Sequence, residues 1–213
     1  MFLWGYWVMG LKNVKLVAIF IGLLLSMGNV FAADAGVATA KQVVDKFQSE
    51  LIAVMKNGKQ LGFTGRYDKL HDSVTNSHDL NKIARIVVGK EWEKLSEAQQ
   101  KKLVEVFSRL SIASYAHNFK EYGGESFTID SEEETTRGGV VVYAHLSIPN
   151  DKDVKFEYHL KETDKSWRII NIVANGVSDL ALKRSEYTSV LQREGFDTLI
   201  AKINEKIDNY SKL

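Results

Sequence analysis

The sequence predicts an α+β fold, an antiparallel four-stranded meander covered on one face by several helices. Three observations carry that prediction. Ser96 stands three residues before Gln99, the spacing at which a hydroxyl and an amide cap each other's backbone donors, and Leu103, Val106, Phe107, Leu110, Ser114 and Tyr115 follow at helical spacing until Gly123-Gly124. Beyond Gly124 the apolar period changes from helical to alternating. Helical patterning then returns and runs to the C-terminus. No acid, base or metal ligand interrupts the apolar face of the capped helix, so the chain reads as one that holds something rather than transforms it.

Taken in order, residues 37–56 form an amphipathic helix with Val43, Val44, Phe47, Leu51, Ile52 and Met55 on one side. Gly58 to Gly65 reads as a loop, and a short helix follows around Arg66–Asp72. Another helix spans Asp79–Val88 and closes at Gly89, before the long capped helix. Residues 126–132, 138–148, 153–161 and 166–175 are the four strands. Pro149-Asn150-Asp151 and Thr163-Asp164-Lys165 turn the last three into hairpins, and Glu132-Glu133-Glu134 falls at the first hairpin as a solvated turn. Val140, Val142, Ala144, Leu146 and Ile148 alternate with Val141, Tyr143, His145 and Ser147, giving one oily face and one wet face. The next strand repeats this, with Val154, Phe156, Tyr158 and Leu160 opposite Lys155, Glu157 and His159. On the last strand, Trp167 to Val173, which parity faces inward is left open. Helices over Ser185–Arg193 and Phe196–Tyr210, parted by Gly195, finish the chain.

The N-terminus reads as a cleaved export signal over residues 1–32: Lys12 and Lys15 precede the uncharged run Leu16 to Leu25, and Val30-Phe31-Ala32 offers the cleavage site. Met9 is an alternative start, and an uncleaved anchor is the competing reading of the apolar run. Residues 33–213 are then a single domain. The chain has 28 basic and 27 acidic side chains, and removing the leader takes away two lysines and no acids. A near-neutral balance with both signs scattered offers no basic stripe, so nucleic acid is not an expected partner. With no cysteine, disulfides, thiolate metal sites, a cysteine nucleophile and a lipidated N-terminal Cys are all excluded. An exported chain without disulfides fits the Gram-negative periplasm.

No catalytic constellation emerges. His71 and His78 are seven apart in a polar segment, His145 and His159 lie on neighbouring strands as possible cross-strand neighbours, and no metal site is expected among them. Phosphate loops, nucleophile elbows and zinc-protease helices are absent from the sequence. Tyr115, Tyr122 and Tyr158 could present hydroxyls at the mouth of a cavity, or belong to a filled core.

Several segments resemble one family. Arg85–Gln99, R-I-V-V-G-K-E-W-E-K-L-S-E-A-Q, is similar to the helix–Gly–x–x–Trp–x–x–x–Ser–x–x–Gln element of the MlaC family, also called toluene-tolerance proteins. Phe107–Tyr115, Tyr122 to Glu125, Trp167–Tyr187 and Gly195–Ile203 continue the resemblance in the same order. Ser178 to Tyr187 followed by Q-R-E-G-F-D resembles the hopanoid-associated HpnM subgroup more than the phospholipid-carrier pattern. The resemblance implies a soluble periplasmic carrier with an apolar cavity between helices and sheet, holding phospholipid or hopanoid. It implies no cofactor and no enzymatic activity. It also implies transient membrane contact, and exchange with an inner-membrane ABC transporter complex or RND-type exporter and an outer-membrane complex.

On that expectation Ile83, Ile86, Val87, Val106, Phe107, Leu110 and Tyr115 form the helical wall of the cavity. Val142, Leu146, Phe156, Tyr158, Ile169 and Val173 form the sheet wall, and Lys183 and Arg184 stand at the rim or touch a partner complex. Two rival readings remain: a cone-fold isomerase or hydratase with an acid or His in the pocket, and a ligand-free adaptor with a solid interior.

Overall fold

In a computed structural model the described residues are 38–212, and the expected leader lies outside them. Among the described residues there are six α-helices and one antiparallel sheet. Helix α1 (Ala40–Lys56) starts at a capping box made by Thr39 and Gln42. Helix α2 (Gly58–Ser77) follows after Asn57 alone, so the expected Gly58–Gly65 loop is instead helix, bent where Gly62 takes φ 61°. A single positive-φ glycine suffices to turn the chain there, so the glycine-rich composition that suggests a loop marks only a kink. Helix α3 (Leu80–Val88) is capped by the Asp79 carboxylate, which accepts from the Lys82 amide, and stops at Gly89. A 3-10 turn over Gly89–Lys94 leads to α4 (Glu97–Asn118), whose capping box is Ser96 with Gln99.

The sheet runs β1 (Ser126–Thr135), β2 (Gly139–Ser147), β3 (Val154–Thr163), β4 (Ser166–Ala174) and β5 (Val177–Ser178), each paired with the next in chain order. It has five strands rather than four, because Asn175 and Gly176, both at positive φ, fold two further residues back onto β4. The Glu132–Glu134 run belongs to β1 and not to the hairpin, whose turn is Thr136 to Gly138. His145 and His159 are not opposed either: His145 pairs with Lys155 and His159 with Val141. The His145 ring instead bonds Asp130 on β1 at 2.9 Å. Helix α5 (Asp179–Glu194) begins directly at Ser178, earlier than the expected Ser185, and α6 (Phe196–Lys212) follows Gly195.

One irregularity decides which residues face the helices. Leu160 pairs with Ile169 but His159 pairs with Asn171, so Ile170 is an extra residue in β4. The bulge inverts the parity beyond it. Ile169 and Ile172 both contribute to the inner side, while Val173 pairs with Glu157 of the wet face. This removes Val173 from the expected sheet wall.

Two apolar clusters result. Helices α1, α2 and α4 pack on the inner sheet face through Phe47, Leu51, Leu70, Val142 and Leu160, all almost fully buried. Helices α3, α4, α5 and α6 form the second cluster, including Val87, Val106, Phe107, Leu110, Tyr187 and Leu199. Arg66 joins the helices from within: its Nε donates to the Ala116 carbonyl at 2.6 Å and its NH1 to that of Gly58 at 2.8 Å. Between the clusters the interior is not filled.

Candidate functional site

Helix α4 is apolar on more than one face, and that explains the hollow beside it. Leu103, Val106, Leu110 and Ala113 point into the second cluster, whereas Ile112 and Ala116 point into the first. The stripe between them is Phe107, Ser111, Ser114, Tyr115 and Asn118, and it borders a cavity of about 270 Å³. Phe47 and Leu51 of α1, Leu80 and Ile83 of α3, Phe156 and Tyr158 of β3, and Ile169 to Ile172 of β4 close the other sides. Serines on a helix face turned to the interior fill less space than a Leu would, and Ser111 and Ser114 both border the gap. Tyr115, Phe119, Phe156 and Ile172 are packed against the first cluster yet only half-buried, and all four line the cavity.

Its edge is polar. Asn171, Asp179 and Lys183 lie there with Leu180. The Ser178 hydroxyl donates to Asn171 Oδ1 at 2.9 Å and accepts from the Ala181 amide at 3.1 Å, which starts α5 at the rim. The Lys183 ammonium is ion-paired with Asp179 one helical turn earlier. Its side chain is only 13% exposed while that of Asp179 is 68% exposed. The cation thus lies inward of its partner. Val177 and Leu182, both exposed, flank this edge in the chain.

One polar chain enters the wall itself. The Ser77 hydroxyl lies 2.6 Å from the Ser73 carbonyl, the only way it can serve that oxygen being to donate. It therefore accepts from His78 Nδ1, 2.8 Å away, and His78 Nε2 is left to accept from the Tyr115 hydroxyl at 3.0 Å. Phe47 meets the His78 ring and the Tyr115 ring edge-on. Burial lowers the His78 pKa to about 4, so the ring is neutral. Burial likewise holds the Tyr115 hydroxyl well above its ordinary value, and raises Tyr158 to about 12.

Of the residues expected in the walls, Ile83, Phe107, Tyr115, Phe156, Tyr158 and Ile169 line this cavity, and Lys183 stands at its edge. Val87, Val106 and Leu110 are enclosed in the second cluster, and Val142 in the first, so none of these four borders it. Ile86 is half-buried on α3, Leu146 is buried opposite Val154 on the sheet, and neither reaches the cavity. Arg184 is exposed, its guanidinium lying against Gly89. Sequence reasoning missed Phe47, Leu51, His78, Phe119 and Ile172 as wall residues. The α4 stripe was readable by stepping from Phe107 by four, seven, eight and eleven residues; His78 carried no such signal.

Among the described residues no group of three or more His, Cys, Asp or Glu could hold a metal ion. No described helix is long and apolar enough to cross a membrane. The arrangement can enclose hydrocarbon and leave a polar end at the rim. Acid–base work is poorly served, because both His78 nitrogens are engaged and the ring titrates far below neutrality.

Known proteins resemble this chain in sequence and in fold. The sequence model of the MlaC protein family matches residues 45–205. Toluene tolerance protein Ttg2D of Pseudomonas putida is 23% identical over 180 residues, covering 83% of this chain and 84% of its own. The intermembrane phospholipid transport system binding protein MlaC of Haemophilus influenzae is 24% identical over 123 residues, 56% of this chain and 58% of its own. A solved structure of a phospholipid-binding protein from Ralstonia solanacearum, in complex with a phospholipid, has the same fold, with a TM-score of 0.72 at 17% identity. That superposition covers 82% of this chain and 99% of the other.

Proposed function

The chain belongs to the MlaC family, and from that premise we propose that it is a periplasmic lipid carrier: it takes the hydrocarbon of a phospholipid into the hollow beside α4 and shuttles it between inner and outer membranes. The observation that carries this reading is a half-filled apolar interior with a polar edge, lined by Phe107, Tyr115, Phe119, Phe156 and Ile172. Each methylene moved from water into such a lining gains roughly 0.8 kcal/mol. The names of the Haemophilus and Ralstonia relatives support a phospholipid as the cargo.

Headgroup placement follows from the edge. Lys183, more deeply set than Asp179, offers an ammonium to a phosphate while the headgroup stays in water. Arg184, exposed on the same helix, is available to a partner complex. We assign the partners to an inner-membrane ABC transporter or RND-type exporter and an outer-membrane complex, with brief membrane contact at the exposed Val177 and Leu182. Export relies on the leader over residues 1–32, whose removal leaves the domain free to diffuse. Enzymatic action is disfavoured, because the one histidine in the wall is neutral and has both ring nitrogens occupied.

Native mass spectrometry of protein purified from the periplasm, followed by lipid extraction, tests the proposal. A stoichiometric phospholipid is the expected result, and a hopanoid in its place would move the cargo to the HpnM type. An apo mass that persists after incubation with liposomes would overturn the carrier reading.

A further inference from the structure

The hydrogen bonds around His78 have a direction, and the direction has a consequence for the ligand. Ser77 must donate to Ser73, His78 Nδ1 must then donate to Ser77, and Tyr115 must donate to His78 Nε2. The one proton of the Tyr115 hydroxyl is thereby committed away from the cavity. Its oxygen keeps acceptor capacity, and among the described residues it accepts no hydrogen bond. His78 and Tyr115 both belong to the cavity wall, so the hydroxyl that joins them lies in that wall. The chain cannot easily reverse. Reversal would need a proton on His78 Nε2 and a bare Nδ1 facing a serine oxygen whose hydrogen is already bound to Ser73. A second proton on the ring is excluded by its burial, which keeps it neutral.

We propose that Tyr115 is a one-way hydrogen-bond acceptor in the apolar hollow, selecting lipids that carry a hydroxyl within their hydrocarbon portion. The inference rests on the carrier reading and narrows its substrate class. A plain chain passes the tyrosine without penalty, because the Tyr115 proton is already satisfied. A hydroxyl at the matching depth gains a bond. A carbonyl at the same depth meets oxygen with oxygen and gains none. The expected order is hydroxyl first, then plain chain, then ketone.

The test is competition against a fluorescent fatty acid bound to the purified full chain. The probes are hexadecanoic acid, its isomers with one hydroxyl moved along the chain, and the matching keto acids. At one hydroxyl position binding should be about two- to tenfold tighter than for hexadecanoic acid, the worth of one net hydrogen bond, and the ketone at that position should show no such gain. In Tyr115→Phe the ratio of hydroxylated to plain affinity should fall to one, a readout that a general loss of affinity does not mimic. In His78→Leu the Tyr115 proton is released, and the keto acid should gain relative to the plain chain. Equal affinity at every hydroxyl position in the wild type, or a preference that persists in Tyr115→Phe, would overturn the inference while leaving the carrier intact. If hexadecanoic acid itself fails to compete while liposome lipid still loads the protein, the inference is overturned and the carrier reading stands.

Discussion

His78 sits at the join of α2 and β4, where its backbone bridges Ile169 and its ring reaches Tyr115. With a pKa near 4 in the fold and about 6.5 in the unfolded chain, it binds a proton in the unfolded state first as pH falls. Its contribution to stability is therefore complete above about pH 6.5 and is lost as pH drops towards 4, amounting to at most about 3 kcal/mol. Urea denaturation between pH 7 and 4.5 should show wild type losing more stability than His78→Gln, and parallel curves for the two would refute the assignment. A second contrast separates wall from core. Val142 is fully buried in the first cluster, so Val142→Asp should leave the chain unfolded through an unpaired buried charge. Ile172 keeps a free face on the cavity, so Ile172→Asp should fold and lose lipid loading, as read by circular dichroism and lipid extraction on the same sample.

The start of α2 lies close against the segment that follows α4. A Cβ on Gly58 would stand 1.9 Å from the Lys120 carbonyl oxygen, a backbone atom that cannot swing aside. Gly58→Ala should destabilise by about 1–3 kcal/mol, the range for overpacking. Gly65→Ala, which meets the Leu61 side chain from 3.2 Å outward and no backbone atom, gains helix propensity and should cost much less than Gly58→Ala. Thermal unfolding of the two variants side by side decides it, and equal shifts would argue against the close approach. The same junction shows why an element was misread. Gly58, Gly62 and Gly65 look like loop punctuation, but only Gly62 uses a positive φ, while Gly58 is there for lack of room. Composition cannot tell those two uses of glycine apart. At β4 the failure was different: alternation was legible up to Ile169, and the extra residue Ile170 then exchanged the roles of Ile172 and Val173. A bulge depends on the partner strand, so no pattern within β4 announces it.

As a whole, the molecule leaves apolar side chains partly uncovered inside two otherwise well-packed clusters. A cavity of about 270 Å³ lies just under the range of roughly 300–1,000 Å³ typical of sites for drug-sized ligands. On the proposed function it has room for part of a lipid tail as it stands, and a two-chain lipid would require the helices and sheet to part further. Binding that covers this surface stabilises the fold by mass action. With lipid about a hundredfold above its Kd the melting temperature should rise by about 5–10 °C over the delipidated protein, measured by calorimetry. No rise at saturating lipid would point to a surface contact instead of occupation of the interior.

By itself the sequence determined the α+β class, the capped α4 helix, the meander with one oily face and the family, because each is encoded by local spacing: Ser96 to Gln99, Phe107 to Tyr115, Val140 to Ile148. Only the tertiary structure decided which oily residues are core and which are wall. Leu110 and Ser114 are one turn apart on the same helix, yet one fills the second cluster and the other borders empty space. Periodicity reports that a side chain avoids water; whether it then touches another side chain or a hollow depends on what the neighbouring elements bring to the same place. The polar chain through Ser77, His78 and Tyr115 belongs to the same class of facts, since its last two members lie 37 residues apart and meet only when α2, α4 and β4 have packed.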